Sequence, residues 1–307
     1  VLIMLCVRGI GSTFQQPAIQ SIIPQLVPKD QLVKTNGWMQ LLNSGSFLLG
    51  PVIGASLYAV FPMSVVLISD VVGAVLASIA LAVVKIPKLE KTDLEEQHFI
   101  AEIKEGLQVF KEDRSLFCIV IAEALCMFFY APLSSFYPLM TSHYFKLSAM
   151  YGSAVELSFA IGMMASSLLF SSILKINRKI RVSFIGLFGM GAMSLLCGII
   201  PPTYIGWFFF AGGCICLGAS GNIHTLPLTA YMQETISPEK MGRAFSVLTL
   251  ISSVTMPVGL LFSSPIAEKV GVNVWFFISG LCMILLTASV SFHYSVKRSI
   301  LKRGVNR

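Results

Sequence analysis

Charged side chains are scarce in this sequence: 12% of its 307 residues are Asp, Glu, Lys or Arg, whereas 55% are hydrophobic. A soluble domain carries about twice that charged fraction. The mean hydropathy of +0.79 and several apolar runs of bilayer-spanning length therefore argue against a soluble domain and predict a polytopic membrane protein. The net charge of +7 does not imply a nucleic-acid partner, because Lys and Arg in loops also orient membrane helices.

The sequence also lacks the patterns of an enzyme or a metal site. It contains no His-Glu-x-x-His and no Gly-x-Ser-x-Gly, and its apolar runs hold no cluster of acidic residues. The seven cysteines all fall in apolar runs, and Cys214 and Cys216, two residues apart, cannot face each other on a helix. We therefore predict no disulfide framework, no metal site, no catalytic residue and no cofactor.

The apolar segments predict nine membrane spans, at about 1–23, 37–60, 63–84, 116–138, 151–175, 182–200, 204–232, 244–266 and 274–295. Basic residues are distributed unevenly between them. Of the 22 Lys and Arg residues, 19 lie in the loops at 24–36, 85–115, 175–181 and 233–243 or in the tail after Tyr294. The positive-inside rule predicts that these loops and the C-terminus are cytoplasmic.

An internal repeat predicts an architecture of two halves. Pro17 and Pro28 recur 210 residues later as Pro227 and Pro238, and each pair leads through a short polar loop into a span with a central proline. If the first three spans repeat as spans seven to nine, spans four to six have no counterpart. We therefore expect three further spans upstream of this sequence, which begins within an apolar run. The total of twelve, in two parallel six-helix halves, is typical of secondary transporters.

This architecture divides the chain into three parts. Residues 1–84 are predicted to hold the last three spans of the N-terminal six-helix half. Residues 116–307 are predicted to form the C-terminal six-helix half with a basic tail. The cytoplasmic linker at 85–115 carries apolar residues at helical spacing, which predicts an amphipathic helix lying on the cytoplasmic face. A partner-binding role for this helix is the alternative.

The span at 37–60 combines small residues with a proline. Ser46, Gly50, Gly54 and Ala55 place small side chains together, which would let a neighbouring helix backbone approach closely. Pro51 removes one helical hydrogen bond in the same region. The pattern predicts a closely packed, bendable helix in a protein that changes conformation. An ordinary tight interface in a static bundle is the alternative.

These segments resemble the major facilitator superfamily, and in particular its bacterial macrolide-efflux branch. The segment Ser46 to Ala55 is similar to the family's antiporter motif Gly-x-x-x-Gly-Pro-x-x-Gly-Gly, with a serine and an alanine at its two ends. The cytoplasmic loop motif of the family resembles the residues Pro238, Gly242 and Arg243. The signature after the family's fourth span resembles the residues Phe14, Pro17, Ile23, Pro24, Gln25, Leu26, Val27, Pro28, Leu32, Asn36 and Gly37.

The resemblance implies an all-α membrane bundle with nine of the family's twelve spans. It also implies a monomeric secondary active transporter in the cell membrane, which exports a small amphipathic compound, drug-like or macrolide-like, by proton antiport and alternating access. Its expected partners are this small-molecule substrate, protons and the lipid bilayer. Transport of another small solute, such as a nutrient or a siderophore, is the alternative, because a fold does not determine its substrate.

Ionisable side chains inside the apolar spans are the candidates for proton coupling or for the substrate cavity, because each costs about 2.5–3.5 kcal/mol at the centre of a span. They are Arg8, Glu123, Glu156 and His224. A carboxyl group removed from water favours its neutral form and can exchange protons near neutral pH, as an antiporter requires. A structural hydrogen bond is the alternative for each. For His224, and also for Asp70, that structural role is the favoured interpretation.

Overall fold

The computed structural model describes residues 2–83, 99–172 and 176–305, and the segments it describes are helices joined by short loops. Nine helices in these segments have 21 residues or more, and the shorter α4 (Phe99–Glu112) lies among them. The nine are α1 (Leu2–Leu26), α2 (Leu32–Val60), α3 (Met63–Val83), α5 (Arg114–Leu139), α6 (Ala149–Ser172), α7 (Lys179–Ile199), α8 (Tyr204–Thr235), α9 (Pro238–Lys269) and α10 (Val272–Val305).

The predicted all-α membrane bundle is confirmed. Six helical segments between Leu116 and His293 are long and apolar enough to cross a membrane. The helix ends differ from the predicted span ends where polar residues continue a helix beyond the bilayer. Helix α9 begins at Pro238 rather than near residue 244, because proline suits the first helical position. Ser237 precedes it with an extended backbone, but its side chain makes no capping hydrogen bond.

The helices of the C-terminal part pack closely where glycine removes a side chain from the interface. Helix α8 contacts α6 and α7, and α10 contacts α5 and α7. A Cβ atom on Gly186 of α7 would collide with the backbone of His224 on α8. A Cβ atom on Gly162 of α6 would collide with the carbonyl oxygen of Ile215. These two glycines therefore allow α8 to lie tightly between α6 and α7.

Among the described residues, no atom lies close to the glycines of the small-residue face of α2. A Cβ atom on Gly50 or Gly54 would meet no described atom within 4 Å, and Ser46 is exposed. The side chains of Pro51 and Ala55 lie outside the described residues.

Helix α2 instead approaches α6 at Gly37, where a Cβ atom would lie 2.7 Å from the backbone nitrogen of Ser171. The two backbones are therefore in close contact near the start of α2. Close approach of a neighbouring helix at Gly50 and Gly54 stays a prediction, and no contact among the described residues corresponds to it. A conformational role of that motif stays a prediction.

We expect Gly37→Leu to destabilise the protein by about 1–3 kcal/mol, because the new side chain has no space between α2 and α6. Gly50→Leu is the matched control in the same helix and is expected to leave stability unchanged. Thermal unfolding of the purified variants in detergent measures both effects. If Gly50→Leu lowered the unfolding temperature as much as Gly37→Leu, the small-residue face would be packed as its spacing predicts.

The helix that the linker is predicted to contain is present as α4, and it packs against the bundle. Helix α4 contacts α5 and α9, and the side chain of Phe110 is fully buried between them. At Gly106 a Cβ atom would lie 2.9 Å from the carbonyl oxygen of Arg243, so the two helix backbones are close. The guanidinium of Arg243 also pairs with the carboxylate of Glu105. Residues 85–98 of the predicted linker lie outside the described residues.

Candidate functional site

A polar cavity of about 510 Å³ lies between α1 and three helices of the C-terminal part, α5, α8 and α9. Glu123 of α5 is the sole ionisable side chain among the described residues that line it. Hydroxyl and amide groups supply most of the remaining polar lining, from Gln16, Gln20, Thr225, Thr229, Thr249, Ser252 and Ser253. The cavity therefore presents one acidic group in neutral polar surroundings, within helices that cross the membrane.

Proline interrupts the hydrogen-bonding pattern on two sides of this cavity. Pro17 of α1 and Pro257 of α9 both line it, and each lies inside its helix. A proline has no N–H group, so the carbonyl group four residues earlier loses its helical partner. In a membrane such a carbonyl group is tolerated where it meets packed polar neighbours or a polar cavity. This cavity satisfies that condition.

Glu123 faces the imidazole of His224 across the junction of α5 and α8. Oε1 of Glu123 lies 4.0 Å from Nε2 of His224, and the two side chains are 20% and 0% exposed. Neither Oε2 of Glu123 nor Nε2 of His224 has a hydrogen-bond partner among the described residues. The pair therefore holds two buried polar atoms without a hydrogen-bond partner among the described residues. A hydrogen bond spans about 2.6–3.2 Å, so a movement of one side chain towards the other by less than about 1.5 Å would join them.

Local packing determines where the imidazole of His224 points. Its Nδ1 lies 2.7 Å from the hydroxyl oxygen of Ser183 and 3.2 Å from the carbonyl oxygen of the same residue. Two residues earlier in α8, Asn222 donates hydrogen bonds to the carbonyl oxygen of Met163 and the hydroxyl of Ser167 on α6, at 2.8 and 2.9 Å. These contacts hold α8 in place and direct Nε2 of His224 towards Glu123.

The other acidic residue predicted for the site, Glu156, is not brought to this pair. Glu156 is exposed on α6 and is not among the residues that line the cavity. Arg8 lies in α1, but its side chain is outside the described residues, as is that of Asp70 in α3. Of the four predicted candidates, the structure therefore places only Glu123 and His224 side by side.

A buried cluster of amide side chains, which the sequence did not suggest, joins three helices beside the cavity. Nδ2 of Asn36 on α2 donates to Oε1 of Gln233 on α8, at 2.7 Å. Nε2 of Gln233 donates to the backbone and side-chain oxygens of Gln20 on α1, at 3.0 and 3.1 Å. Asn36 and Gln233 are 3% and 2% exposed. Because Gln20 also lines the cavity, this amide cluster limits the cavity on the side of the loops at 24–36 and 233–243.

Ion pairs strengthen the same end of the bundle. Nζ of Lys179 on α7 lies 2.6 Å from Oε1 of Glu234 on α8, and Nζ of Lys29 donates to the backbone oxygen of Glu234 at 3.2 Å. Lys240 and Glu112 form a further pair at 3.1 Å, but both are about half exposed, so its contribution to stability is small. At Gly242 of the predicted loop motif, an added Cβ atom would meet no described atom within 4 Å. The end that is predicted to be cytoplasmic is therefore closed in this structure.

A bundle of long apolar helices around a polar cavity, with side-chain contacts that join the helices at one end, is typical of a membrane transporter. The family model named Major Facilitator Superfamily matches residues 1–260, and the chain belongs to this superfamily. It is a multi-pass membrane transporter and, like its relatives, not an enzyme, as the sequence predicted.

Proteins of similar sequence include known efflux proteins. Macrolide efflux protein A of Streptococcus pyogenes is 37% identical over 287 residues, which make up 93% of this chain and 70% of that protein. Macrolide efflux protein A of Enterococcus faecalis is 36% identical over 261 residues, or 85% of this chain and 80% of that protein. The predicted resemblance to the macrolide-efflux branch is confirmed.

Solved structures share the fold at low sequence identity. The human organic anion transporter MFSD10 (TETRAN) has a TM-score of 0.71 and 15% identity, covering 88% of this chain and 66% of that structure. The E. coli fucose:proton symporter FucP has a TM-score of 0.64 and 16% identity, covering 90% of this chain and 72% of that structure. These likenesses concern the fold alone.

Proposed function

We propose that this transporter exports a small amphipathic compound of the macrolide type, in exchange for protons. The observation that carries the proposal is the position of Glu123, the sole ionisable side chain among the described residues lining the polar cavity. The identity of 37% with Macrolide efflux protein A supports export and the substrate type. A nutrient or siderophore transporter would share the scaffold, but no feature of the cavity favours it.

Proton exchange requires a group that is neutral while it faces the outside and that releases its proton towards the cytoplasm. In a polar cavity within the membrane, Glu123 can be neutral as a carboxylic acid or charged as a carboxylate. Entry of a proton and departure of the substrate then alternate at one cavity. Arg8 lies on α1, a helix that borders the cavity, and we propose that its positive charge favours the ionised form of the Glu123 carboxyl group. Glu156 is the second candidate for the carrier, although its exposed position outside the cavity favours Glu123.

Alternating access requires the cavity to open towards each side of the membrane in turn. Helices α1 and α2 contact α6, α8 and α9, and the cavity lies across this contact. We assign α1 to α3 to the N-terminal half of the transporter, α4 to the linker and α5 to α10 to the C-terminal half. Movement of the N-terminal half against the C-terminal half would separate the side chains of the amide cluster. We assign the end of the bundle that holds this cluster, together with the C-terminus, to the cytoplasmic side.

Transport of erythromycin, a macrolide, into everted membrane vesicles tests this function. With the complete gene product in these vesicles, we expect uptake when the interior is more acidic than the medium. Uptake should stop when a protonophore removes the pH difference. Vesicles with an imposed electrical potential but no pH difference provide the control. Uptake that survives the protonophore and needs Na⁺ would contradict proton coupling, and an absence of macrolide uptake under every gradient would contradict the substrate type.

A further inference from the structure

We propose that His224 is the second member of the proton site: it accepts the proton of Glu123 on Nε2, while Ser183 holds the imidazole in the tautomer that can do so. This inference rests on the proposed proton exchange. It assigns a proton-transfer role to a residue that the sequence alone placed in helix packing. Its basis is the arrangement of three side chains on α5, α7 and α8.

The first observation is that the two side chains offer each other the contact that each lacks. Nε2 of His224 is buried and has no hydrogen-bond partner among the described residues, and the same holds for Oε2 of Glu123. Glu123 is also the one acidic group in the described part of the chain within 4.0 Å of this imidazole. A buried polar atom is normally hydrogen-bonded, so the arrangement is complete only when the two side chains meet.

The second observation concerns the tautomer of His224. The carbonyl oxygen of Ser183 lies 3.2 Å from Nδ1 and can only accept a hydrogen bond. With its proton on Nδ1, the imidazole donates to this carbonyl group and to the hydroxyl oxygen of Ser183 at 2.7 Å. Nε2 then carries the lone pair and faces Glu123 as an acceptor. In that tautomer Nε2 can be satisfied by a protonated carboxyl group.

Transfer of the proton is balanced within the pair. The O–H bond of the Glu123 carboxyl group breaks and an N–H bond forms at Nε2. The products are a carboxylate and an imidazolium whose two N–H groups donate to Glu123 and to Ser183. The negative charge thus returns to the cavity, where Glu123 is 20% exposed, while the proton rests on a side chain that is 0% exposed.

The surroundings of the pair contain no other charged side chain that the structure describes at the cavity. Helix α9 contributes Thr249 and Ser252, and α1 contributes Gln16 and Gln20. On the opposite side Cys126 of α5 faces the hydroxyl of Thr287 on α10, with sulfur and oxygen 3.9 Å apart. The side chain of Arg8 is outside the described residues. Among the side chains that the structure describes around this pair, the proton is therefore shared between Glu123 and His224.

Nitrogen NMR of the complete gene product, labelled with ¹⁵N-histidine in lipid nanodiscs, reads the tautomer directly. His224→Gln assigns the resonance among the four histidines of the sequence. We expect wild-type His224 to be either protonated on Nδ1 or fully protonated, and Ser183→Ala to give a mixture of the two neutral tautomers. A wild-type imidazole protonated on Nε2 alone throughout the pH range would overturn the proposal, because that nitrogen could not accept a proton.

Transport separates this proposal from the proposed function. We expect His224→Gln to reduce pH-driven erythromycin uptake into everted vesicles at least tenfold while erythromycin binding is retained, and Ser183→Ala to reduce it less. His293→Gln, at an exposed position of α10, is the matched control and should be unchanged. If Glu123→Gln abolishes uptake but His224→Gln and Ser183→Ala do not alter it, His224 is structural and the proposed function stands. Should His224→Gln fail to fold, the wild-type tautomer and the Ser183→Ala variant decide the question.

Discussion

Glu123→Gln is expected to abolish the accumulation of erythromycin that a pH gradient drives. A difference of one pH unit is worth about 1.4 kcal/mol per proton, so one-for-one exchange sustains about a tenfold concentration ratio of substrate. Glutamine has nearly the same shape and keeps its hydrogen-bonding ability, but it cannot release a proton. We therefore expect the ratio to fall from about ten to about one, while binding of erythromycin persists. Reconstituted vesicles with a fixed pH difference give the ratio directly.

Glu156→Gln is the matched control for this experiment. It makes the same chemical change on an adjacent span, but at an exposed position that does not line the cavity. Its accumulation ratio should equal that of the wild type. If Glu156→Gln lost accumulation and Glu123→Gln kept it, Glu156 would be the proton carrier. If both single variants and the double variant kept it, neither carboxyl group would carry the proton.

The second large effect is expected from Gln233→Leu, which removes the centre of the amide cluster. Leucine forms no hydrogen bond, so the side-chain amide groups of Asn36 and Gln20 would lose their partner. In the closed state, water cannot replace it. A buried polar group without its partner costs about 1–3 kcal/mol. Opening this end to water relieves that cost, so the closed state should lose population by about 5–150-fold relative to a state open on the same side.

Labelling of a cysteine at Ser252 measures this opening, because Ser252 lines the cavity that the amide cluster limits. In a background without the native cysteines, a membrane-impermeant thiol reagent is applied to everted vesicles, from the side predicted to be cytoplasmic. Gln233→Leu should raise the labelling rate at least fivefold, in line with the expected shift in population. Gln25→Leu is the control, because the Gln25 side chain donates to Ser21 within its own helix. Equal rates in wild type and Gln233→Leu would show that the amide cluster does not close this end.

Much of the fold could be predicted because a membrane span is a local property of the sequence. A run of about 20 apolar residues forms a helix in the bilayer whatever its neighbours are. The resemblance to the major facilitator superfamily was visible for the same reason, as its motifs are short and continuous.

The candidate site could be predicted only in part, because it depends on which helix faces meet. Glu123 and Glu156 are equally unusual in their apolar runs, but one lines the cavity and the other is exposed on α6. The contact of Glu123 with His224 joins α5 to α8 through packing that Gly186 permits. Glycine spacing likewise indicated a small face on α2, but the close backbone contact of α2 with α6 lies at Gly37, which the spacing did not indicate.

The central claim is that Glu123 releases its proton when the substrate binds. Counting the protons released on binding tests this claim most directly. Erythromycin is added to the purified complete gene product in weakly buffered detergent solution, at a pH where the site holds a proton, and a pH indicator records the release. The account predicts about one proton released per molecule of bound erythromycin by the wild type and by Glu156→Gln, and none by Glu123→Gln, with binding confirmed by calorimetry. Equal proton release by the wild type and Glu123→Gln would contradict the claim.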